Sequence, residues 1–222
     1  KVTTTSNADG TYNLFVGSGQ QLVVGVTVVE LTAEGSKADA SKIVIGLKVP
    51  GGSQELPDSL IVGGELGGLV AFRNEGLEPA ANEIGRSAAS LALTFNAQHA
   101  LGQDLMGGIA GDSGFVGQFF TIPNPKIIAN AENTGSGAIS ASFAAPTAPG
   151  APNFSGNFST NLTNSSYQIQ FGAAGAYTIT RLSDNAQVQT GSGAGSTTFD
   201  GVTLAIGTVG ASGDKVVIKP VN

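Results

Sequence analysis

Residues 60–101 read LIVGGELGGLVAFRNEGLEPAANEIGRSAASLALTFNAQHAL, and this stretch decides the fold class. Apolar positions recur at Leu66, Leu69, Val70, the stem of Arg73 and Leu77. They resume at Ile84, Ala88, Leu91, Ala92 and Phe95, the spacing of one helical stripe. It is the one convincing helical region of the chain. Glu78-Pro79 falls between the two runs. Proline removes a backbone donor and crowds the preceding turn, so a break or kink is expected there. Gly102 is a natural stop.

Strand signals lie on either side. Residues 2–6 and 12–16 flank Asn7-Ala8-Asp9-Gly10, whose Asp-Gly pair favours the positive φ angles of a hairpin turn. The Val-rich run 21–31 reads as a further strand, as does 42–49, and Pro50-Gly51-Gly52 ends the strand reading. Beyond Phe115 the expected strands are 118–122, 138–143, 167–171, 177–182, 187–189, 202–206 and 215–219. Residues 144–152, with three prolines, read as an extended loop. The expected class is α+β: a β-hairpin plus broken helical segment first, then an antiparallel β sandwich or small barrel. Residues 1–110 carry 6 basic and 11 acidic side chains against 4 and 5 in 111–222. That shift coincides with the Gly-rich stretch 107–117, which sets domains at 1–110 (hairpin and helical core) and 111–222 (β domain).

Composition narrows the function. Charged residues are 12% of 222, about half the usual ~25%, and Gly is 33, about double the usual share. The net charge of −6 argues against nucleic acid and against an anionic membrane surface. No apolar run approaches a membrane span. With no Cys and only His99, thiolate sites, Cys nucleophiles and two-His zinc sites are excluded.

The motifs that suggest chemistry have plainer readings. Gly111-Asp112-Ser113-Gly114 echoes the nucleophile segment of chymotrypsin-like proteases. The only His lies 14 residues upstream at a helix end, however, and Phe115 replaces the second glycine. A Gly-rich loop between domains is the expectation. His99 is expected to meet the last helix carbonyls. Glu75, Glu78 and Glu83 read as solvent-facing helix residues rather than a glycosidase pair. Asp184, Asp200 and Asp214 sit in turn contexts where Asx side chains cap local backbone, without the alternating ligands of a calcium loop. Gly17-Ser18-Gly19 and Gly191-Ser192-Gly193-Ala194-Gly195 read as turns, lacking the context of a nucleotide site. The four N-x-S/T sequences from Asn153 to Ser166 read as polar turns rather than glycan acceptors. No catalytic, cofactor or metal residue is expected, and no enzyme.

One resemblance is specific. Gly63-Gly64-Glu65-Leu66-Gly67-Gly68-Leu69-Val70-Ala71-Phe72-Arg73-Asn74-Glu75, then Leu77-Glu78-Pro79-Ala80, Leu93-Thr94-Phe95-Asn96-Ala97-Gln98-His99 and Gly102-Gln103-Asp104-Leu105, resemble the helical signature of the flagellar hook-associated protein 1 family. Asp9-Gly10-Thr11-Tyr12-Asn13-Leu14-Phe15-Val16-Gly17 matches that family's hairpin. Phe199-Asp200-Gly201-Val202 with Gly213-Asp214-Lys215-Val216 resembles its closing strands, a pair shared with other axial proteins. The resemblance implies a structural subunit joining hook to filament, extracellular, exported without a cleaved signal peptide. The chain would be a middle piece between terminal helical segments, with 111–222 projecting outward. Implied partners are the hook protein, hook-associated protein 3, an export chaperone and further copies in a helical lattice. Leu66, Leu69, Phe72 and Arg73 are the candidate subunit contacts, Arg73 because its fork can reach a partner's carboxylate. For Leu66 and Leu69 the alternative is packing within their own chain. The competing functional readings are an adhesin or carbohydrate-binding β module, and a related axial protein such as hook-associated protein 3 or flagellin.

Overall fold

The computed structural model describes residues 2–16, 19–148 and 158–221. Its class is α+β, and every described strand pair is antiparallel. Two compact units are present, Lys1–Pro79 and Ala80–Asn222.

The first unit opens with the expected hairpin. β1 (Val2–Ser6) pairs with β2 (Tyr12–Val16) around a turn in which Gly10 has φ 83° and Asp9 Oδ1 accepts from the Thr11 N–H at 3.0 Å. The run 21–31 is not one strand. It divides into β3 (Gln20–Val24) and β4 (Thr27–Val28), which complete a four-stranded sheet. Gly25 takes φ 58° and donates its N–H to Asn13 Oδ1 at 3.0 Å, so the chain turns where composition alone suggested continuation. A second sheet follows from β5 (Leu31–Gly35), β6 (Ile43–Val49) and β7 (Gly52–Glu55). Pro50-Gly51 therefore makes a hairpin turn rather than an exit from strand structure.

The helical region follows without the expected break. α1 (Gly64–Ala71) passes into a π-helical segment (Phe72–Leu77) and then α2 (Glu78–His99). A wider turn takes the place of a break. The missing N–H of Pro79 and the bulk of its ring conflict with the normal i→i−4 ladder just upstream, where the π segment lies.

The second unit contains α2 and a β sandwich. One sheet has the order β12-β11-β10-β15-β8, from β8 (Lys126–Ala129), β10 (Tyr167–Phe171), β11 (Ala176–Arg181), β12 (Gln187–Ser192) and β15 (Lys215–Lys219). The other has the order β13-β14-β9, from β9 (Ala138–Phe143), β13 (Gly195–Phe199) and β14 (Val202–Thr208). Two separate sheets make this the sandwich of the two expected alternatives. Ile169, Ile179 and Ile218 from the larger sheet meet Val202, Leu204 and Ile206 from the smaller, joined by Ala89 of α2. Tyr167 and Phe199 pack edge to face at 5.0 Å. Residues 191–195 hold strand ends around Gly193 instead of being wholly turn.

The segment 118–122 is not a strand, although Phe119, Phe120 and Ile122 favour one. Asn96 on α2 takes its backbone instead: Oδ1 accepts the Phe119 and Phe120 N–H groups at 2.9 and 2.8 Å, and Nδ2 donates to Phe120 O at 2.7 Å. The 144–152 loop, the Gly17-Ser18-Gly19 cluster and the first two N-x-S/T sequences lie wholly or partly outside the described residues.

Candidate subunit-contact surface

The four candidate residues divide into one anchored side chain and three exposed ones. Arg73, in the π segment, is held inside its own unit. Nη2 donates to Asp58 Oδ2 at 2.9 Å, Nη1 to Ile43 O at 2.6 Å and Nε to Asn74 Oδ1 at 3.3 Å. Asn74 Nδ2 donates to the same Asp58 oxygen at 2.8 Å, and Lys42 Nζ lies 3.7 Å from it and 3.5 Å from Glu78 Oε1. Burial alone would raise the Asp58 pKa. The Asn74 hydrogen bond and the charges of Lys42 and Arg73 outweigh it and hold the carboxyl below its ordinary value. The network buckles the π segment to the turn at Asp58–Leu60 and to the first residue of β6. Asp58, Lys42 and Asn74 were not singled out from sequence. The signal available was one of only three arginines in the chain, placed within reach of the acidic residues of the first unit.

Leu66, Leu69 and Phe72 are not part of the hydrogen bonds and ion pairs of this network. They are 48%, 61% and 64% exposed, so each presents much of its surface to solvent. Successive three-residue steps keep them on one side of the helix. Leu77 in the π segment, and Ile84 and Leu91 on α2, are also exposed. The periodic stripe thus exists, yet much of it faces outward. An apolar row on a rod whose orientation is fixed by a buckle is suited to burial against another surface. It has no reagent for bond-making chemistry.

The other sequence candidates have local structural roles. His99 does not bond to the helix carbonyls; its ring lies 6.0 Å from Phe115 and 6.1 Å from Phe119, and Nδ1 is buried without a hydrogen-bond partner. Asp112 accepts the Ile109 N–H at 3.0 Å, so the Gly111–Gly114 motif closes its own turn. Glu78 is engaged by Lys42 and Arg73 rather than free in solvent, and Glu83 is bonded by Arg86 and by Asn164. Asp184 caps the Ala186 N–H at 3.1 Å as expected of a turn residue. Asp214 and Asp200 do more. Asp214 accepts from Thr134, Gly135 and Ala211 N–H groups at 2.8, 2.9 and 2.9 Å, fastening distant segments. Asp200 Oδ2 accepts from Tyr167 Oη at 2.9 Å and from Arg181 Nε and Nη2 at 2.9 and 2.7 Å. Burial, assisted by the Asp200 carboxylate, pushes the Tyr167 phenol up to about 12. Among the described residues no group of three or more His, Asp or Glu is placed to hold a metal, and no helix is long and apolar enough to cross a membrane.

Comparison with known proteins shows what the chain as a whole is similar to. Residues 1–115 match the family model of the flagellar hook-associated protein FlgK helical domain, and residues 128–220 that of the flagellar hook-associated protein 1 D2-like domain. The chain is 31% identical over 96% of its length to flagellar hook-associated protein 1 of Escherichia coli (strain K12), covering 36% of that protein. The same identity and coverage hold for the Salmonella typhimurium protein, of which 35% is covered. The chain therefore spans about a third of the length of these relatives. The flagellar hook junction protein FlgK from Burkholderia pseudomallei superposes with a TM-score of 0.81 at 33% identity, over 99% of this chain and 38% of that one. With its larger family model covering just over half of its 222 residues, the chain belongs to the flagellar hook-associated protein 1 family.

Proposed function

We propose that the chain serves as part of a structural subunit of the bacterial flagellum, joining hook to filament through subunit–subunit contacts. The observation that carries this is the row Leu66, Leu69 and Phe72, exposed on a helix that the Arg73–Asp58 buckle holds in place. Burying such side chains stabilises a contact by roughly 1.5–3 kcal/mol each before the ordering cost of association is subtracted. One contact is then weak, and a ring of copies adds many. The faces brought together differ, so the contact is heterologous and continues a helical lattice. Arg73 acts by aiming the row rather than by reaching a neighbour's carboxylate.

In the proposed arrangement residues 1–110 pack in the junction tube and 111–222 project outward. The partners are other copies, the hook protein and hook-associated protein 3, with an export chaperone before assembly. The location is extracellular, reached without a cleaved signal peptide. Immunogold electron microscopy of intact flagella with antibody to this chain tests the reading. Gold in a narrow band between hook and filament is the expected result. Label along the filament would indicate a flagellin-like protein instead, and label on the cell envelope an adhesin.

A further inference from the structure

Residues 115–122 lie between α2 and β8 in the second unit, and none of them belongs to the packed cluster of the sandwich core. Val116 and Phe119 are 72% and 64% exposed, so the segment buries little of its own apolar surface. What it covers is the end of α2. The Phe119 and Phe120 rings each lie 5.2 Å from Phe95 and stand 5.0 Å from one another. Phe120, Thr121 and Ile122 also form one wall of an apolar groove of about 430 Å³ along α2. On its other side Phe143 and Val221 pack against the core.

The segment is fastened to α2 by one side chain. Asn96 Oδ1 accepts the N–H groups of Phe119 and Phe120, and Asn96 Nδ2 donates to Phe120 O. The amide thus stands in for the strand partner that residues 115–122 lack. Gly114 and Gly117 lie at the start of the segment, where the missing side chains let the backbone swing at low cost.

Closure also carries a cost. The His99 ring lies 6.0 Å from Phe115 and 6.1 Å from Phe119, and its Nδ1 is buried without a hydrogen-bond partner. A nitrogen held this way forfeits the bond it would make to water. Lifting the segment returns that bond while breaking the three to Asn96 and parting the rings. A thin aromatic layer and one clamping residue, set against an orphaned nitrogen, are the balance of a segment that opens locally, below the free energy of global unfolding.

We propose that residues 115–122 form a strap that opens independently of the sandwich and sets how far the apolar row on α2 extends. With the strap closed, the row of exposed side chains runs through Ile84 and Leu91 and meets Phe119 and Phe120 at Phe95. With the strap open, the row gains the whole of Phe95 and the groove loses one wall. Any surface that docks beyond Leu91 must displace the strap first, so its affinity is lowered by the closed fraction. The inference concerns the chain by itself and goes beyond the junction reading.

Chymotrypsin cleavage of the folded chain after Phe119 and Phe120, followed by mass spectrometry, reads the opening, because the protease needs backbone released from Asn96. Asn96→Ala should speed this cleavage about tenfold. His99→Phe replaces the orphaned nitrogen with an apolar ring and should slow it several-fold. Leu204→Ala loosens the sandwich core and should speed cleavage after the buried Phe199 while leaving cleavage after Phe119 and Phe120 unchanged. Cleavage at all three sites rising together in Leu204→Ala would show that the segment opens only with the whole unit. That result, indifference to Asn96→Ala, or faster cleavage in His99→Phe would each overturn the strap. None of these outcomes bears on whether immunogold finds the protein at the junction, so the two readings fail separately.

Discussion

The two units use apolar residues in opposite ways. In the sandwich, Tyr167, Ile169, Ile179, Val202, Leu204 and Ile218 have no measurable exposure, and both sheets contribute. In the first unit the buried hydrophobics are Val44, Leu47 and Leu56, while Leu66, Leu69 and Phe72 face solvent. Equal hydrophobicity in sequence therefore meets different fates. Strands whose alternate residues meet a second sheet can satisfy one another within the chain. A single helical rod has one stripe and, among the described residues, no second rod against which to bury it. The first unit relies more on polar fastening: the Lys42–Asp58–Arg73–Asn74 network does locally what a core does in the sandwich.

The contrast is broken most severely by cutting into the sandwich core. Leu204→Ala should destabilise the second unit by about 2–5 kcal/mol, because the side chain is fully buried between sheets that cannot collapse freely. Chemical denaturation followed by circular dichroism measures it. A loss below about 1 kcal/mol would mean that the two sheets are not packed as described.

Next in size is the polar anchor of that core. Asp200→Asn removes the charge that Tyr167 and Arg181 share, with an expected loss of about 1–3 kcal/mol. The same site gives a pH test. The Tyr167 phenol is raised to about 12 when folded against an ordinary 10, so the unfolded chain loses its proton first as pH rises. Its contribution to stability is complete below about pH 10 and is lost between about 10 and 12. Ultraviolet absorbance of the folded chain should show a tyrosinate component that appears only near pH 12 and is missing from a Tyr167→Phe variant. Absence of that component would contradict the burial.

Smaller still is the buckle of the first unit. Arg73→Ala should cost about 1–2 kcal/mol, since its partner Asp58 is partly buried and keeps Asn74 and Lys42. The Asp58 carboxyl is held below its ordinary value, so its contribution is present above about pH 4 and lost as pH falls through the depressed value. Acid unfolding of the Asp58→Asn variant should accordingly depend less on pH than that of the parent chain. An unchanged acid transition would show that the network does not fasten the rod.

How much of this was legible depended on whether the signal was local. Strands 138–143, 167–171 and 215–219 have the residues of a buried or half-buried sheet and lie where the sequence placed them. β7 and β13, reading GSQE and GSTTF, carry little apolar signal and exist because a hairpin partner supplies their hydrogen bonds. Segment 118–122 has strand-forming side chains, but Asn96, more than twenty residues away, takes its backbone. At the contact surface the helical period was visible while its destination was not. Nothing in the spacing of Leu66 and Leu69 distinguishes a stripe buried by its own chain from one left outside. Arg73 shows the converse: a fork that could serve a neighbour found Asp58 within its own unit.

The least disruptive substitution separates the two units most sharply. Leu69 is 61% exposed, so Leu69→Ser removes little buried area and should change the stability of the isolated chain by no more than about 0.5 kcal/mol. If the row has no role outside the chain, the substitution is silent in every assay. If the row is a subunit contact, the same substitution in the whole protein removes apolar burial from each copy of a repeated interface, and the losses recur around the assembly. The expected result is an unchanged melting curve together with weakened junctions, scored as flagella that shed filaments under shear. A stability loss above about 1 kcal/mol would instead mean that Leu69 is buried within its own chain, and the distinction between a self-sufficient sandwich and an outward-facing rod would fail.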